Sequence, residues 1–229
     1  MISVGTAILP TTRALALYFA SMVHQYRREP PAVLANAEAT TAVGAEHGLS
    51  LWLANGRVMR GWTLAEQGQS AEGIALMRRG LADWSATGAE THRTYFLGLL
   101  AEALGRAGQI GEALAVLDEA LAMMGGTGTV FHGAELHRLR GEFLLRQGAT
   151  NLPEAEASIR RALSTARGQQ AKSFELRAAM SLTRLLQTCD RAAEARPILA
   201  ECYAWFTEGH DTPDLRDART LLDQLTKSA

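Results

Sequence analysis

"GRAGQIGEALAVLDEAL" occupies residues 105–121, and how it is read decides the fold. Gly108 breaks a helical pattern near the start, and beyond it the apolar positions alternate in size. Ala113 and Ala120 stand seven residues apart with Leu117 between them. Seven residues make nearly two helical turns, so the three share one face. Small side chains there let a second helix come close, and the leucine fills the space between. The stretch therefore predicts a helix packed at short range against a neighbour.

The same arrangement recurs along the chain. "GQSAEGIALMRRGL" (68–81), "NLPEAEASIRRAL" (151–163) and "DRAAEARPILAEC" (190–202) align with it on Glu72, Glu112, Glu154 and Glu194, at intervals of 40, 42 and 40 residues. Each glutamate precedes a small residue (Gly73, Ala113, Ala155, Ala195), and another follows seven positions on (Gly80, Ala120, Ala162, Cys202). Between them comes a large apolar residue: Met77, Leu117, Ile159 and Leu199. A glutamate in a first turn is favoured by the helix dipole, which marks these residues as helix starts.

Upstream, Gly61, Ala101, Gly141 and Thr183 are followed three residues later by Leu64, Leu104, Leu144 and Leu186. A turn at Gln67-Gly68, Ala107-Gly108 or Gln147-Gly148 separates this segment from the next. Each unit thus predicts a first helix, a turn and a second helix, and self-similarity at this period signals a helical repeat array. The expected fold is all-α: a solenoid of helical hairpins forming one repeat domain over residues 1–229. Its units are 11–47, 50–86, 90–124, 132–168 and 172–206, with a cap helix over 212–226.

The unit at 11–47 is degenerate, with Ser21, His24, Val33, Ala37 and Thr40 in the key slots. His24 is read as a partly buried structural histidine without a titratable neighbour. A terminal repeat normally presents a polar outer face. "ALALYFASMV" does not, so self-association through this helix, or a missing upstream repeat, is one reading. At the other end Gly209 is expected to stop a helix, with Thr212 as N-cap and Pro213 opening the cap. Leu215, Ala218, Leu222 and Leu225 make the cap's apolar stripe, away from Arg216, Asp217, Arg219 and Asp223. A mobile loop is expected across "MMGGTGTVFHG".

Composition narrows the function. Of 229 residues 47% are hydrophobic, but only 6% are aromatic, which with the alanine and leucine content favours helices. Twenty-three basic and 24 acidic residues are interspersed, giving a net charge of −1. That lacks the basic face of a nucleic-acid binder, so no direct nucleic-acid partner is expected. No apolar stretch approaches the roughly 20 residues of a membrane span. Two cysteines, Cys189 and Cys202, form neither a disulfide framework nor a metal motif, which suits a reduced cytoplasmic protein.

No catalytic group, cofactor or metal is assigned. "GGTGT" at 125–129 has no Lys-Ser/Thr pair and leaves a helix, so it reads as a turn rather than a phosphate loop. His132 and His137 point about 140° apart on a helix, unlike an i, i+4 zinc pair. Trp52, Trp84 and Trp205 read as packing residues, and Trp62, beside Gly61, as one that faces a groove.

The hairpin pattern resembles the tetratricopeptide repeat, with a period longer than that family's usual 34 residues. Further segments carry a narrower resemblance: "RGWTLAEQGQ", "AELHRLRGEFLLRQG", "KSFELRAAMSLTRLL" and "WFTEGHDTPDLRDARTLLDQL". These are similar to the C-terminal repeat regions of large bacterial multidomain signalling proteins, adenylate-cyclase-like or LuxR-type. Such proteins join a cyclase or DNA-binding output to a P-loop ATPase and a repeat array. The ATPase and cyclase parts have no counterpart in this chain. By the family's groove positions, the wall formed by the first helices carries Asn55, Trp62, Glu66, Tyr95, Glu102 and Arg106. Glu135, Arg138, Glu142, Arg146, Arg177 and Arg184 follow. The arginines suit an acidic peptide or a chain terminus; the plainer reading is Glu–Arg pairing between successive helices. The resemblance implies a non-catalytic, regulatory protein–protein interaction module. A small-molecule effector site is the alternative, and an enzyme built on this scaffold would require a perturbed acid–base pair in a closed pocket.

Overall fold

The computed structural model describes residues 9–127 and 131–227. Eleven α-helices and one 3-10 turn account for the regular structure of these residues, and none of them forms a strand. The chain divides into two compact units, Met1–Phe96 and Leu97–Ala229.

In the first unit α1 (Pro10–Tyr26) pairs with α2 (Pro30–Glu46), and α3 (Ser50–Glu66) with α4 (Ser70–Ala86). The first turn of α5 (Arg93–Arg106) also belongs here. Tyr18, Trp52, Trp84 and Phe96 form its aromatic core, with Trp84 edge-on to Phe96 at 5.8 Å. Trp62 is buried with them. Close approach between α3 and α4 depends on Gly61. A Cβ there would lie 2.7 Å from the Gly73 carbonyl oxygen and 2.5 Å from Cγ of Met77. No ordinary Cβ contact is that short, so only glycine permits this crossing.

The second unit holds the rest of α5, then α6 (Ile110–Thr127), α7 (Gly133–Gln147), α8 (Leu152–Gly168), α9 (Lys172–Gln187), α10 (Ala192–Ala204) and α11 (Pro213–Lys227). Leu104 and Leu186 of the first helices are buried at the slots the period predicts, and so are Leu117, Ile159 and Leu199 of the second helices, flanked by buried Ala113, Ala120, Ala155, Ala162 and Ala195. The equivalent Leu64 of the first unit is half-buried. The expected acidic starts are in place: Glu72, Glu112, Glu154 and Glu194 each lie in a first turn.

One residue per hairpin turns the chain between its two helices: Arg28, Gly68, Gly108, Gly148 and Asp190 all have positive φ. At Gly108 (φ 80°), the residue's N–H donates to the Gly105 carbonyl and that of Gln109 to the Leu104 carbonyl, satisfying the helix end. An L side chain in this conformation costs roughly 1–2 kcal/mol. Gly108→Ala is therefore expected to lower the unfolding free energy by about that much. Equilibrium denaturation checks it, and an unchanged midpoint would mean the turn relaxes.

Several expectations need correction. Gly209 does not stop α10, which ends at Ala204; it lies in the following connection with φ 72°. Thr212 opens α11 through its backbone carbonyl, which accepts from Arg216 N–H, but its hydroxyl donates backward to the Gly209 carbonyl at 2.7 Å. The buried stripe of α11 is Leu215, Ala218, Leu221 and Leu225, with Leu222 half-buried. Trp205 is 58% exposed, because α10 has ended before it. His24 has a titratable neighbour, Glu29, 2.6 Å from its Nδ1. Helix α6 continues to Thr127, so the glycines at 125 and 126 do not interrupt it; residues 128–130 of the expected loop, like residues 1–8, lie outside the described residues.

Candidate functional site

In the second unit the first helices of the hairpins stand side by side. Phe143 of α7 packs where a Cβ on Gly105 of α5 would sit, and α7 meets α9, which meets α11. Positions repeated in sequence thereby become neighbours across the wall. Glu102, Glu142 and Arg184 share one slot, and Arg106 and Arg146 another.

At the centre of this wall the charges pair with one another. Arg138 holds Glu135 with two bonds, Nη2 to Oε1 at 2.6 Å and Nε to Oε2 at 2.9 Å. It also reaches Glu142 at 2.7 Å. Ser181 of α9 donates to Glu142 at 2.6 Å. Arg177 of α9 binds Asp214 of α11 at 2.7 Å and lies 3.7 Å from Glu135. The network ties α7, α9 and α11 together. Bidentate guanidinium–carboxylate geometry is what makes such a buried cluster tolerable.

Its electrostatics follow. Burial opposes ionisation of Glu135, but the charge of Arg138 and its bonds, helped by Arg177, overcome it and hold the carboxyl down at about 2. His132, just ahead of α7, is buried beside the cluster and edge-on to Phe174 at 5.7 Å. Burial pushes its pKa down to about 4, with Glu135 opposing and Arg177 and Arg138 assisting. The imidazole is therefore neutral near pH 7.

The candidate residues fall into three groups. Asn55, Trp62 and Tyr95 are buried in the first unit, where the Tyr95 hydroxyl donates to Gln25 Oε1 at 3.1 Å. The Asn55 carboxamide oxygen is buried and has no hydrogen-bond partner among the described residues. Glu66 is half-buried. In the second unit Glu135, Arg138, Glu142 and Arg177 form the network. Arg106, Arg146 and Arg184 are exposed, with Arg106 near Glu102 at 3.3 Å and Arg146 over the Phe143 ring at 5.9 Å. Sequence reasoning missed Ser181, Asp214 and His132 as members. The usable signal was the slot shared by Glu135 and Arg177, opposite charges in successive hairpins.

Elsewhere in this unit burial raises the Cys202 thiol to about 11, with Glu175 adding, and both cysteines are free. An open groove of about 870 Å³ beside α10 and α11 is lined by Pro197, Ala200 and Leu225 with Asp190 and Arg196. Among the described residues no group of His, Cys, Asp and Glu is placed to hold a metal ion, and no helix is long and apolar enough to cross a membrane.

Hairpins with close glycine or alanine crossings, stacked first helix beside first helix, define a TPR-like helical-repeat protein. Comparison with solved structures agrees. A kinesin light chain-like protein from Podosopora anserina, made of nearly identical TPR-like repeats, superposes with a TM-score of 0.57 at 17% identity, covering 86% of this chain and 96% of that one. A singly substituted form of that protein gives 0.59 at 16% identity, with the same coverage. BtubC (BKLC) from P. vanneervenii gives 0.67 at 14% identity, covering 97% of this chain and 85% of that one. At these identities the likeness establishes the fold. No protein-family model and no curated protein matches the sequence.

Proposed function

We propose that the chain is a non-catalytic interaction module that binds an acidic peptide segment or chain terminus of a partner protein along the wall of first helices. TPR-like repeats generally mediate protein–protein interaction, which supports this reading. One observation carries it further: Arg146 and Arg184 stand exposed on adjoining helices, with Arg106 also exposed though paired to Glu102, outside the charge network that consumes Arg138 and Arg177. Fixed helices with outward guanidinium groups suit carboxylate recognition, because little ordering remains to be done on binding. The resemblance of the repeat segments to those of bacterial cyclase-like and LuxR-type regulators supports a regulatory, signalling role in the cytoplasm, where two free thiols stay reduced.

The test is binding of short acidic peptides, with free and amidated C-termini, set against Asn/Gln counterparts. Wild type is expected to bind the acidic set with marked salt dependence. Arg106→Glu/Arg146→Glu/Arg184→Glu is expected to bind at least about tenfold more weakly with an unchanged unfolding midpoint. Equal affinity for acidic and neutral peptides, or for wild type and variant, would overturn the proposal. Arg138 and Arg177 are left intact because the fold needs them.

A further inference from the structure

The exposed arginines of the second unit form a row, and the spacing of that row selects among carboxylate-bearing chains. Three first helices run in one direction. Gly98 of α5 lies against His132 and Leu136 of α7, and Gly105 against Phe143, so contacts advance together along both helices. Helix α9 follows α7 in the same sense: Glu135 lies 3.7 Å from Arg177, and Ser181 donates to Glu142 at 2.6 Å.

Glu102, Glu142 and Ser181 mark one level across these helices. Arg138 binds Glu142 at 2.7 Å and feels the charge of Glu102, while Ser181 bonds to Glu142. Arg106 follows Glu102 by four residues, Arg146 follows Glu142 by four, and Arg184 follows Ser181 by three. Each arginine therefore shares the face of its predecessor and stands about one turn beyond it. All three are exposed. Phe143 steadies Arg146, whose guanidinium lies 5.9 Å from the ring centroid, and Glu102 steadies Arg106 at 3.3 Å. A guanidinium carries five donors, so the pairing of Arg106 is compatible with a second carboxylate.

Helices in direct contact stand about 8–10 Å apart, axis to axis, and that is the interval between successive arginines of the row. A chain crossing the three helices must offer a carboxylate at this interval on a single side. In a β-strand, same-side residues recur every second position, about 7 Å apart. In an α-helix they recur about 5–6 Å apart over one turn, or about 10.5 Å over two. Polyproline II has three residues per turn at about 3.1 Å each, so every third residue returns to the same side after about 9 Å. That repeat alone falls inside the interval. A segment already in this conformation also has little freedom left to lose on binding.

We propose, building on the acidic-peptide reading of this wall, that the ligand binds as a polyproline II segment with a carboxylate at every third residue, one each for Arg106, Arg146 and Arg184. The test titrates end-blocked Glu-Pro-Pro-Glu-Pro-Pro-Glu into the full chain at fixed salt. Two isomers of equal composition and charge, Glu-Pro-Glu-Pro-Glu-Pro-Pro and Glu-Glu-Glu-Pro-Pro-Pro-Pro, are titrated beside it. The three-residue period is expected to bind at least about fivefold more tightly than either isomer. Exchanging one end glutamate for glutamine is expected to weaken wild-type binding at least about fivefold, but binding to Arg184→Gln by less than about twofold. Should Arg184→Gln fail to fold, Arg146→Gln with the central glutamate exchanged gives the same comparison. Equal binding of the three isomers would overturn the spacing and leave carboxylate recognition standing. A helical peptide with glutamates seven residues apart that binds as tightly would overturn the conformation. Absence of binding by every acidic peptide would overturn both the spacing and the reading beneath it.

Discussion

Arg138→Ala is expected to lower the unfolding free energy by about 3–5 kcal/mol, the range for removing one partner of a buried ion pair. The guanidinium is largely buried, 12% exposed, and its bonds to Glu135 and Glu142 organise the centre of the second unit. Without it Glu135 remains buried, and among the described residues its ion pairing is reduced to the 3.7 Å contact with Arg177. Most of the loss comes from that stranded carboxylate. The penalty should therefore depend on pH in a defined way. In the wild type Glu135 is held down at about 2, against about 4.5 when unfolded, so its stabilisation is complete above 4.5 and is lost between 4.5 and 2. In the variant burial raises the same carboxyl, which then binds its proton early and relieves the strain. The gap between the proteins should narrow as pH falls toward 2. Arg138→Met/Glu135→Leu, which removes both charges, should recover much of the deficit. Denaturant unfolding at several pH values measures all of this. A cost below about 1 kcal/mol at neutral pH would place the cluster with ordinary surface pairs.

The repeat was legible because close helix packing acts directly on residue size. Gly61 against Gly73 leaves no room for a Cβ, and that steric limit appears in the sequence as a small residue every forty or so positions. Turn positions were legible at Gly68 and Gly108 but hidden at Arg28 and Asp190, which adopt the same positive φ without glycine. The end of α10 was misjudged because Gly209, a plausible stop signal, serves the connection after the helix instead.

The site was legible only in part, for a different reason. The residues of the wall were identifiable as positions, but whether an arginine meets solvent or a carboxylate depends on which helix lies opposite. Arg177 finds Asp214 on α11 and Glu135 on α7, neighbours that sequence separation conceals. Arg146 and Arg184 occupy comparable positions and emerge exposed. Residue type specified the chemistry available, and packing decided which charges the fold itself uses.

That division makes the histidine beside the network the second sensitive element. Replacing His132 with phenylalanine should flatten the loss of stability between pH 6.5 and 4. The imidazole is buried, and burial pushes its pKa down to about 4, whereas the unfolded chain titrates near 6.5. Over that interval the unfolded state binds the proton and the folded state does not. Stability from this group is therefore complete above 6.5 and falls as the solution is acidified to 4, by on the order of 3 kcal/mol in total. Burial lowers His92 and His137 as well, so part of the slope will persist. Phenylalanine is the informative substitute because the repeat itself uses it: Phe174 occupies the same slot 42 residues later and is buried there. The variant should match or exceed the wild type at pH 4.5 relative to its own stability at pH 7. Apart from the slope that His92 and His137 leave, its acid loss should come below 4.5, where Glu135 takes its proton. A pH profile parallel to the wild type's would show that His132 is protonated in the folded state and that Glu135, in the first turn of the helix it precedes, offsets the burial after all.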